Sequence, residues 1–167
     1  MPYRPFTEQN CSIAAALAVV GERWSLLVMR DVLLGRRRFA EIKRSLGVAP
    51  NILSDRLAQL VEHGLLERKP ISEGSDSYEY VPTGKGRDIS PVLATLLEWG
   101  DKHAAPAGAP RIQVHVACGH DAHPQLHCSH CGEVIERGQL QSRPGPGATP
   151  AQRAQGVLPK PGERTTA

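Results

Sequence analysis

The chain has 167 residues, enough for one domain and a small additional module. Apolar residues make up 40% of the sequence and charged residues 22%, a balance that supports a packed core. No apolar run approaches the roughly 18 residues of a membrane-spanning helix, and the first residues lack the apolar segment of a secretory signal. We therefore expect a cytoplasmic protein that makes no membrane contact.

Charge is balanced along most of the chain but is concentrated at one place. Residues 1–140 contain 16 Lys and Arg against 16 Asp and Glu, so the net charge of +3 arises in residues 141–167. From Arg36 to Arg44, five cations accompany one Glu, a local charge of +4. Such a run is typical either of a solvated helix face or of a surface that binds a polyanion.

Apolar residues at helical spacing predict four helices in the first 63 residues. The first two end near Gly21 and Gly35, and a short third helix over residues 38–46 ends at Gly47. A fourth helix is predicted from Pro50 to His63, because proline suits the first helical position. The apolar side of the second helix is predicted to comprise Trp24, Leu27, Val28 and Leu34.

A β-hairpin and a last helix complete this predicted domain, residues 1–103. Residues 65–71 and 78–81 are predicted strands around a Ser/Gly/Asp-rich tip, and the second strand should end at Pro82. Thr83 is placed to cap a last helix, in which Pro91 should cause a kink or delay the start. The fold class is therefore mainly α with a small hairpin wing.

Three further segments follow. Residues 104–111 are predicted to be a linker and residues 112–141 a Cys/His-rich module. Residues 142–167 contain five Pro and four Gly without an aromatic residue, which predicts a disordered tail. No internal repeat is apparent in the sequence.

The order of the predicted elements is that of a winged helix-turn-helix, in which one helix braces a second one against the DNA major groove. On the helix from Pro50, leucines occupy the core side, so Asn51, Ser54 and Asp55 should project outward and reach base edges. Arg56 lies on the flank and is placed for a phosphate or for an internal ion pair. The cations predicted to neutralise phosphates are Arg36, Arg37, Arg38, Lys43, Arg68 and Lys69.

From Cys11 to about Gly100 the sequence resembles the HxlR-type winged helix-turn-helix transcriptional regulators of bacteria. The stretches that carry the resemblance are Cys11-Ser-Ile-Ala-Ala-Ala-Leu, Val20-Gly-Glu-Arg-Trp-Ser-Leu-Leu, Arg30-Asp-Val-Leu-Leu-Gly, Arg37-Arg-Phe-Ala-Glu-Ile, Pro50-Asn-Ile-Leu-Ser-Asp-Arg-Leu, Gly64-Leu-Leu-Glu-Arg, Tyr78-Glu-Tyr, Pro91-Val-Leu and Leu97-Glu-Trp-Gly. Two positions depart from the family pattern. Ala49 replaces the usual Ser helix cap, and Val81-Pro-Thr-Gly replaces the usual Leu-Thr-Glu.

The resemblance implies a nucleoid-associated homodimer that represses transcription from a pseudo-palindromic operator on double-stranded DNA. Dimerisation would use the first and last helices of the domain. Cys11 matches a cysteine with which some of these regulators sense oxidants or electrophiles, so a thiol-responsive sensor is an alternative function. The sequence does not identify a small-molecule or oxidant inducer.

Residues 115–132 contain two ligand pairs, each followed by glycine. His115 and Cys118 form the first pair, and Cys128 and Cys131 form the second. This spacing lets one turn aim two ligands at one ion, so we expect a structural Zn²⁺ in a zinc-ribbon-like module. His120 is the alternative fourth ligand, with His123 as a further competitor.

The sequence is thus compatible with three classes of function. The first is a sequence-specific DNA-binding regulator, the second a thiol- or metal-responsive sensor that releases DNA, and the third a protein-interaction adaptor. An adaptor would not need the cations between Arg36 and Lys43. An enzyme is not expected, because the sequence contains no phosphate loop, nucleophile elbow or H-E-x-x-H motif.

Overall fold

The structure is a computed structural model that describes residues 9–157, and the chain divides into two compact units at Ala104. Among these residues no single helix is long and apolar enough to cross a membrane. The first two helices would be long and apolar enough only if counted as one, and they are bent by 75° at their junction. The elements are α1 (Ser12–Val20), α2 (Ser25–Leu33), α3 (Phe39–Leu46), α4 (Pro50–Glu62), β1 (Leu66–Pro70), β2 (Tyr78–Pro82), α5 (Gly84–Arg87), α6 (Ser90–His103) and α7 (Pro150–Gln155).

The first unit has the predicted mainly helical order with one two-stranded antiparallel hairpin. Its core joins α1, α2, α3, α4 and the hairpin. Because α4 places a leucine at every third or fourth position, one full side of that helix is buried. The members of the core cluster are Val20, Val28, Met29, Val32, Ile42, Val48, Leu53, Leu57, Leu60, Leu65, Leu66 and Tyr80.

The buried side of α2 differs from the predicted one. Leu27 and Leu34 are exposed, whereas Met29 and Val32 are buried together with Val28. Leu34 lies beyond the last helical residue, so helical spacing no longer governs its direction. Leucine and methionine are equally compatible with a core, and spacing alone did not distinguish the two possible faces.

The hairpin and the last helix differ from prediction only in their details. The second strand ends at Pro82, as expected. Thr83 caps the short helix α5, where its side chain accepts the Gly86 N–H, rather than the last helix itself. Pro91 delays the start of α6 to Ser90, which places the proline in the first turn, where its missing N–H breaks no helical hydrogen bond.

The second unit has a different construction. None of its described residues, 105–157, is buried. Its regular structure comprises two isolated β-bridges, Val114–Asp121 and His127–Val134, and the helix α7.

Helix α7 corrects the prediction of a disordered tail at Pro150–Gln155. Thr149 and Gln152 form a capping box, in which each side chain accepts a backbone N–H of the other residue, at 3.2 and 2.9 Å. A capping box stabilises a short helix locally, and a count of prolines and glycines does not detect it. Residues 158–167 of the predicted tail lie outside the described residues.

Candidate nucleic-acid interface

The two helices α3 and α4 are joined by a three-residue turn. Gly47 adopts a left-handed φ of 63°, and its N–H donates to the Lys43 carbonyl at 2.9 Å, which closes α3. Val48 is buried and anchors the turn to the core. Ala49 supplies no side-chain cap to α4, and Pro50 occupies the first turn of that helix instead. The turn therefore holds α4 at a defined angle to α3, as a helix-turn-helix requires.

The outer side of α4 is polar and exposed. Asn51, Ser54 and Asp55 are all exposed, as predicted, while Leu53 and Leu57 on the opposite side are fully buried. Short polar side chains in this position can approach base edges in a groove, since no bulky neighbour blocks them. Their contact with DNA remains a prediction.

The start of α3 is fixed by a carboxylate. Glu41 accepts the backbone N–H groups of Arg37 and Arg38, each at 3.0 Å. These bonds, with that from Arg38 the stronger, lower the pKa of the Glu41 carboxyl below its ordinary value. The two bonds fix the backbone of Arg37 and Arg38 at the start of α3.

Within that run, Arg36 is held by the preceding helix. Its guanidinium lies 3.7 Å from Oδ1 of the fully buried Asp31, which also pairs with Arg30 at 2.8 Å. Arg36 is therefore only partly exposed, and its charge is partly neutralised by a buried carboxylate.

Arg37 connects α3 to the wing in two ways. Its carbonyl oxygen accepts the Tyr80 N–H at 2.8 Å, and its guanidinium lies 3.6 Å from the Glu79 carboxylate. Arg38 and Lys43 are both exposed.

An aromatic side chain orients the cation of the wing. The Arg68 guanidinium stacks on the Tyr78 ring, 3.9 Å from its centroid, and donates to the Tyr78 hydroxyl. This hydrogen bond raises the pKa of Arg68, whereas burial raises the pKa of Tyr80. The pKa of Tyr78 is lowered mainly by a hydrogen bond with Tyr80 and to a smaller extent by the hydrogen bond with Arg68. Lys69 pairs with Glu67 at 3.0 Å.

Helix α4 and the wing border a common cleft of about 640 Å³. Ser54 and Asp55 line it from α4, while Arg68 and Tyr78 line it from the hairpin. Two candidate base-reading residues and one candidate phosphate-binding residue thus share one surface.

Arg56 takes the internal one of its two predicted roles. Its side chain is 16% exposed and lies 3.5 Å from the Glu22 carboxylate, in the turn between α1 and α2. This pairing withdraws Arg56 from the surface, so the structure does not place it as a phosphate contact.

Sequence reasoning missed three residues that position this surface, namely Asp31, Glu41 and Tyr78. Tyr78 could have been found from the hairpin register, because Arg68 faces Tyr80 and is therefore diagonal to Tyr78. Glu41 could have been found as the acidic residue three positions after a helix start.

The predicted metal ligands occur in the structure as two separate pairs. His115 Nδ1 lies 3.2 Å from Cys118 Sγ, and Cys128 has a hydrogen bond with the Cys131 side chain. Among residues 9–157, no group of three or more His, Cys, Asp or Glu side chains has an arrangement that could hold a metal ion. The thiol–imidazole and thiol–thiol composition of the pairs nonetheless suits Zn²⁺.

Cys11 occupies the N-cap position of α1 and is exposed. Its backbone N–H donates to the Gln9 carbonyl at 2.8 Å. The thiol is therefore accessible at the start of a helix.

Comparison with known proteins places this surface in a family context. The sequence profile of the HxlR-like helix-turn-helix family matches residues 19–107. A relative in Mycobacterium tuberculosis, named as an uncharacterised HTH-type transcriptional regulator, is 43% identical over 137 residues, which are 81% of this chain and 87% of the relative.

Two solved structures extend the similarity into the second unit. A candidate transcription factor of Pseudomonas aeruginosa, PA1374, is 42% identical, has a TM-score of 0.61, and is matched over 87% of this chain and 99% of its own. The crystal structure of PA1607, also a candidate transcription factor, has 33% identity and a TM-score of 0.72 over 82% of this chain and 96% of its own.

Proposed function

The chain belongs to the HxlR-like helix-turn-helix family of transcriptional regulators, and from this premise we propose that it represses transcription as a homodimer on a pseudo-palindromic operator. The family is one of DNA-binding regulators and not of enzymes. Four points are our proposals: that the protein represses rather than activates, that it is a dimer, that its operator is pseudo-palindromic, and which residues contact DNA.

One observation supports the proposed contacts most strongly. Asn51, Ser54 and Asp55 are exposed on the outer side of α4, and Ser54 and Asp55 share a cleft with Arg68 of the wing. In a protein–DNA interface, short polar groups read bases and cations neutralise phosphates. Arg38 at the start of α3, Lys43 within it and Arg68 of the wing are exposed cations that suit the proposed phosphate contacts.

A gel-shift titration tests these roles, with DNA from upstream of the chain's own gene and random DNA as the competitor. Asn51→Ala should weaken operator binding by about 1–3 kcal/mol and leave random DNA unaffected. Lys43→Ala should weaken both DNAs and reduce the salt slope by about one. Arg111→Ala, an exposed cation of the second unit, is the matched control and should change neither. Equal weakening of both DNAs by Asn51→Ala would contradict base reading.

The proposed dimer would use two apolar helix faces. Ile13 and Leu17 of α1 are 72% and 42% exposed, and Leu96 and Trp99 of α6 are 46% and 59% exposed. A monomer rarely exposes large apolar patches to water, so we propose that a second copy of the chain covers these two helix faces.

The position of Cys11 favours a second candidate function, a thiol-responsive regulator. The accessible thiol lies one residue before α1, whose apolar face belongs to the proposed dimer contact, so oxidation there would alter the interface. Operator binding of the wild type should fall after oxidant treatment, whereas that of Cys11→Ser should not. Equal binding by the two proteins under oxidant would exclude this function.

We also propose that residues 112–141 form a zinc-ribbon-like module with a structural Zn²⁺. The absence of any buried side chain among the described residues of the second unit supports this proposal. A metal contributes folding free energy where a hydrophobic core is too small to do so. Metal analysis of the full-length protein, purified under reducing conditions, should give one zinc per chain, and a metal-free but folded second unit would refute the proposal.

A further inference from the structure

Two short hairpins of the second unit repeat each other at an offset of 13 residues. Each contains a β-bridge, a hydrogen bond on either side of it, and a tight turn. In the first hairpin the bridge is Val114–Asp121, and the bonds run from His115 N–H to the His120 carbonyl at 2.9 Å and from Ala122 N–H to the Gln113 carbonyl at 2.8 Å. In the second hairpin the bridge is His127–Val134, and the bonds run from Cys128 N–H to the Glu133 carbonyl at 2.8 Å and from Ile135 N–H to the Leu126 carbonyl at 2.7 Å.

The turns of the two hairpins also match. Gly119 and Gly132 have left-handed φ values of 73° and 77°. Their N–H groups donate to the carbonyls of His115 and Cys128 at 2.7 and 2.8 Å. The sequence does not show this repeat, because the two hairpins share only a Cys-Gly pair. Their backbone hydrogen bonds beside the bridge and at the turn glycine, however, correspond in position.

The repeat assigns equivalent positions to the ligand pairs. His115 corresponds to Cys128, and Cys118 corresponds to Cys131, in each case before the turn glycine. In the first hairpin the two ligands lie close together, with His115 Nδ1 at 3.2 Å from Cys118 Sγ.

We propose that one Zn²⁺ is bound by His115, Cys118, Cys128 and Cys131, with two ligands from each hairpin. This assignment rests on the proposed zinc module and deepens it by identifying the fourth ligand. Two equivalent hairpins that each present two soft ligands supply the four ligands of a tetrahedral structural site. Because the structure contains the two pairs but no larger group, binding of the ion includes the approach of one pair to the other.

The repeat also distinguishes among the other histidines. His120 corresponds to Glu133, after the turn glycine, and its carbonyl takes part in the hairpin bond to His115. His127 corresponds to Val114, and its Nδ1 lies 2.9 Å from the Gly132 carbonyl oxygen. His127 is therefore placed to support the second turn rather than to bind the ion.

The experiment titrates reduced full-length protein with Zn²⁺ alone and, in parallel, with Co²⁺, whose visible spectrum reports thiolate ligands and tetrahedral geometry. The variants are His115→Ala, Cys131→Ser and the matched control His120→Ala. His115→Ala and Cys131→Ser should lose more affinity than the roughly 10–100-fold that the loss of an outer-shell partner costs. His120→Ala should bind Zn²⁺ like the wild type, with an unchanged Co²⁺ spectrum.

The possible outcomes separate the ligand assignment from the broader proposals. A wild type that binds no Zn²⁺ overturns both the zinc module and the assignment. Zn²⁺ binding that His120→Ala abolishes and His115→Ala preserves overturns the assignment alone. Random-DNA binding, measured on the same samples, reports whether the first unit of each variant is folded, so a loss of metal affinity is not mistaken for general unfolding.

Discussion

The two units of this chain show two different ways to hold a small fold together. The 14 buried apolar side chains of residues 9–157 all lie before Ala105, and they join four helices and a hairpin. The second unit has hairpins, turns and a capped helix, but no buried side chain among its described residues. Burial of apolar area stabilises the first unit, whereas the second depends on local hydrogen bonds and on the proposed metal.

Removal of the metal should have the largest effect, and it should be confined to the second unit. Structural zinc contributes about 10–16 kcal/mol to the folding of zinc-finger peptides, far more than isolated turns can supply. Treatment of the zinc-loaded protein with a chelator should therefore abolish the hydrogen-exchange protection of the Ala122 and Ile135 amides. Amides of α4 should keep their protection, since their core contains no metal ligand. Retention of protection at Ala122 and Ile135 after complete zinc removal would contradict the contrast between the units.

Truncation in the core should have the next largest effect, and in the opposite unit. Leu57 is fully buried, so Leu57→Ala should destabilise the first unit by about 2–5 kcal/mol in urea denaturation. The matched control is Leu126→Ala, because Leu126 of the second unit is 57% exposed and its truncation should change stability by less than about 0.5 kcal/mol. Comparable losses in the two variants would show that the second unit has a core of its own.

A charge on the apolar face of α6 should separate the proposed dimer without unfolding the first unit. Leu96 is 46% exposed, so Leu96→Glu should leave the first unit folded. Light scattering should then show the mass of one chain, and the variant should still unfold in a single thermal transition. Ile71, which is 41% exposed on the hairpin, provides the control Ile71→Glu, and this variant should remain dimeric. A dimeric Leu96→Glu protein would place the interface elsewhere.

The smallest expected effect concerns the start of α3 and depends on pH. The pKa of Glu41 is lowered in the folded state by the N–H groups of Arg38 and Arg37, so its contribution to stability is present at neutral pH. That contribution disappears as the pH falls through the lowered folded pKa, because the protonated carboxyl no longer holds those N–H groups as strongly. Glu41→Gln should thus be slightly less stable than the wild type at pH 7 and equal to it in acid. Glu73→Gln, at the hairpin tip, is the control, and a difference that persists in acid would exclude the charge effect.

Features governed by local spacing could be predicted from the sequence. The turn at Gly47, the buried leucines of α4 and the exposure of Asn51, Ser54 and Asp55 follow from helical periodicity. The delayed start of α6 follows equally well from a property of proline.

Features that depend on partners distant in the chain could not be predicted in this way. Arg56 could bind phosphate or an internal carboxylate, and only the fold brings Glu22, 34 positions earlier, to within 3.5 Å of it. The pairing of Arg37 with Glu79 across the wing has the same character. In the second unit, the repeat belongs to the backbone rather than to the side chains, so the sequence left the fourth metal ligand open among His115, His120 and His123.

The claim that the outer side of α4 reads DNA is tested most directly by a loss-of-contact experiment. Each base pair of the operator is substituted in turn, and the binding of the wild type and of Asn51→Ala is measured for every substituted site. If Asn51 reads a base, the variant loses discrimination at one base pair, repeated symmetrically in the two half-sites, and keeps it at all others. A variant that discriminates at every position as the wild type does would show that Asn51 reads no base.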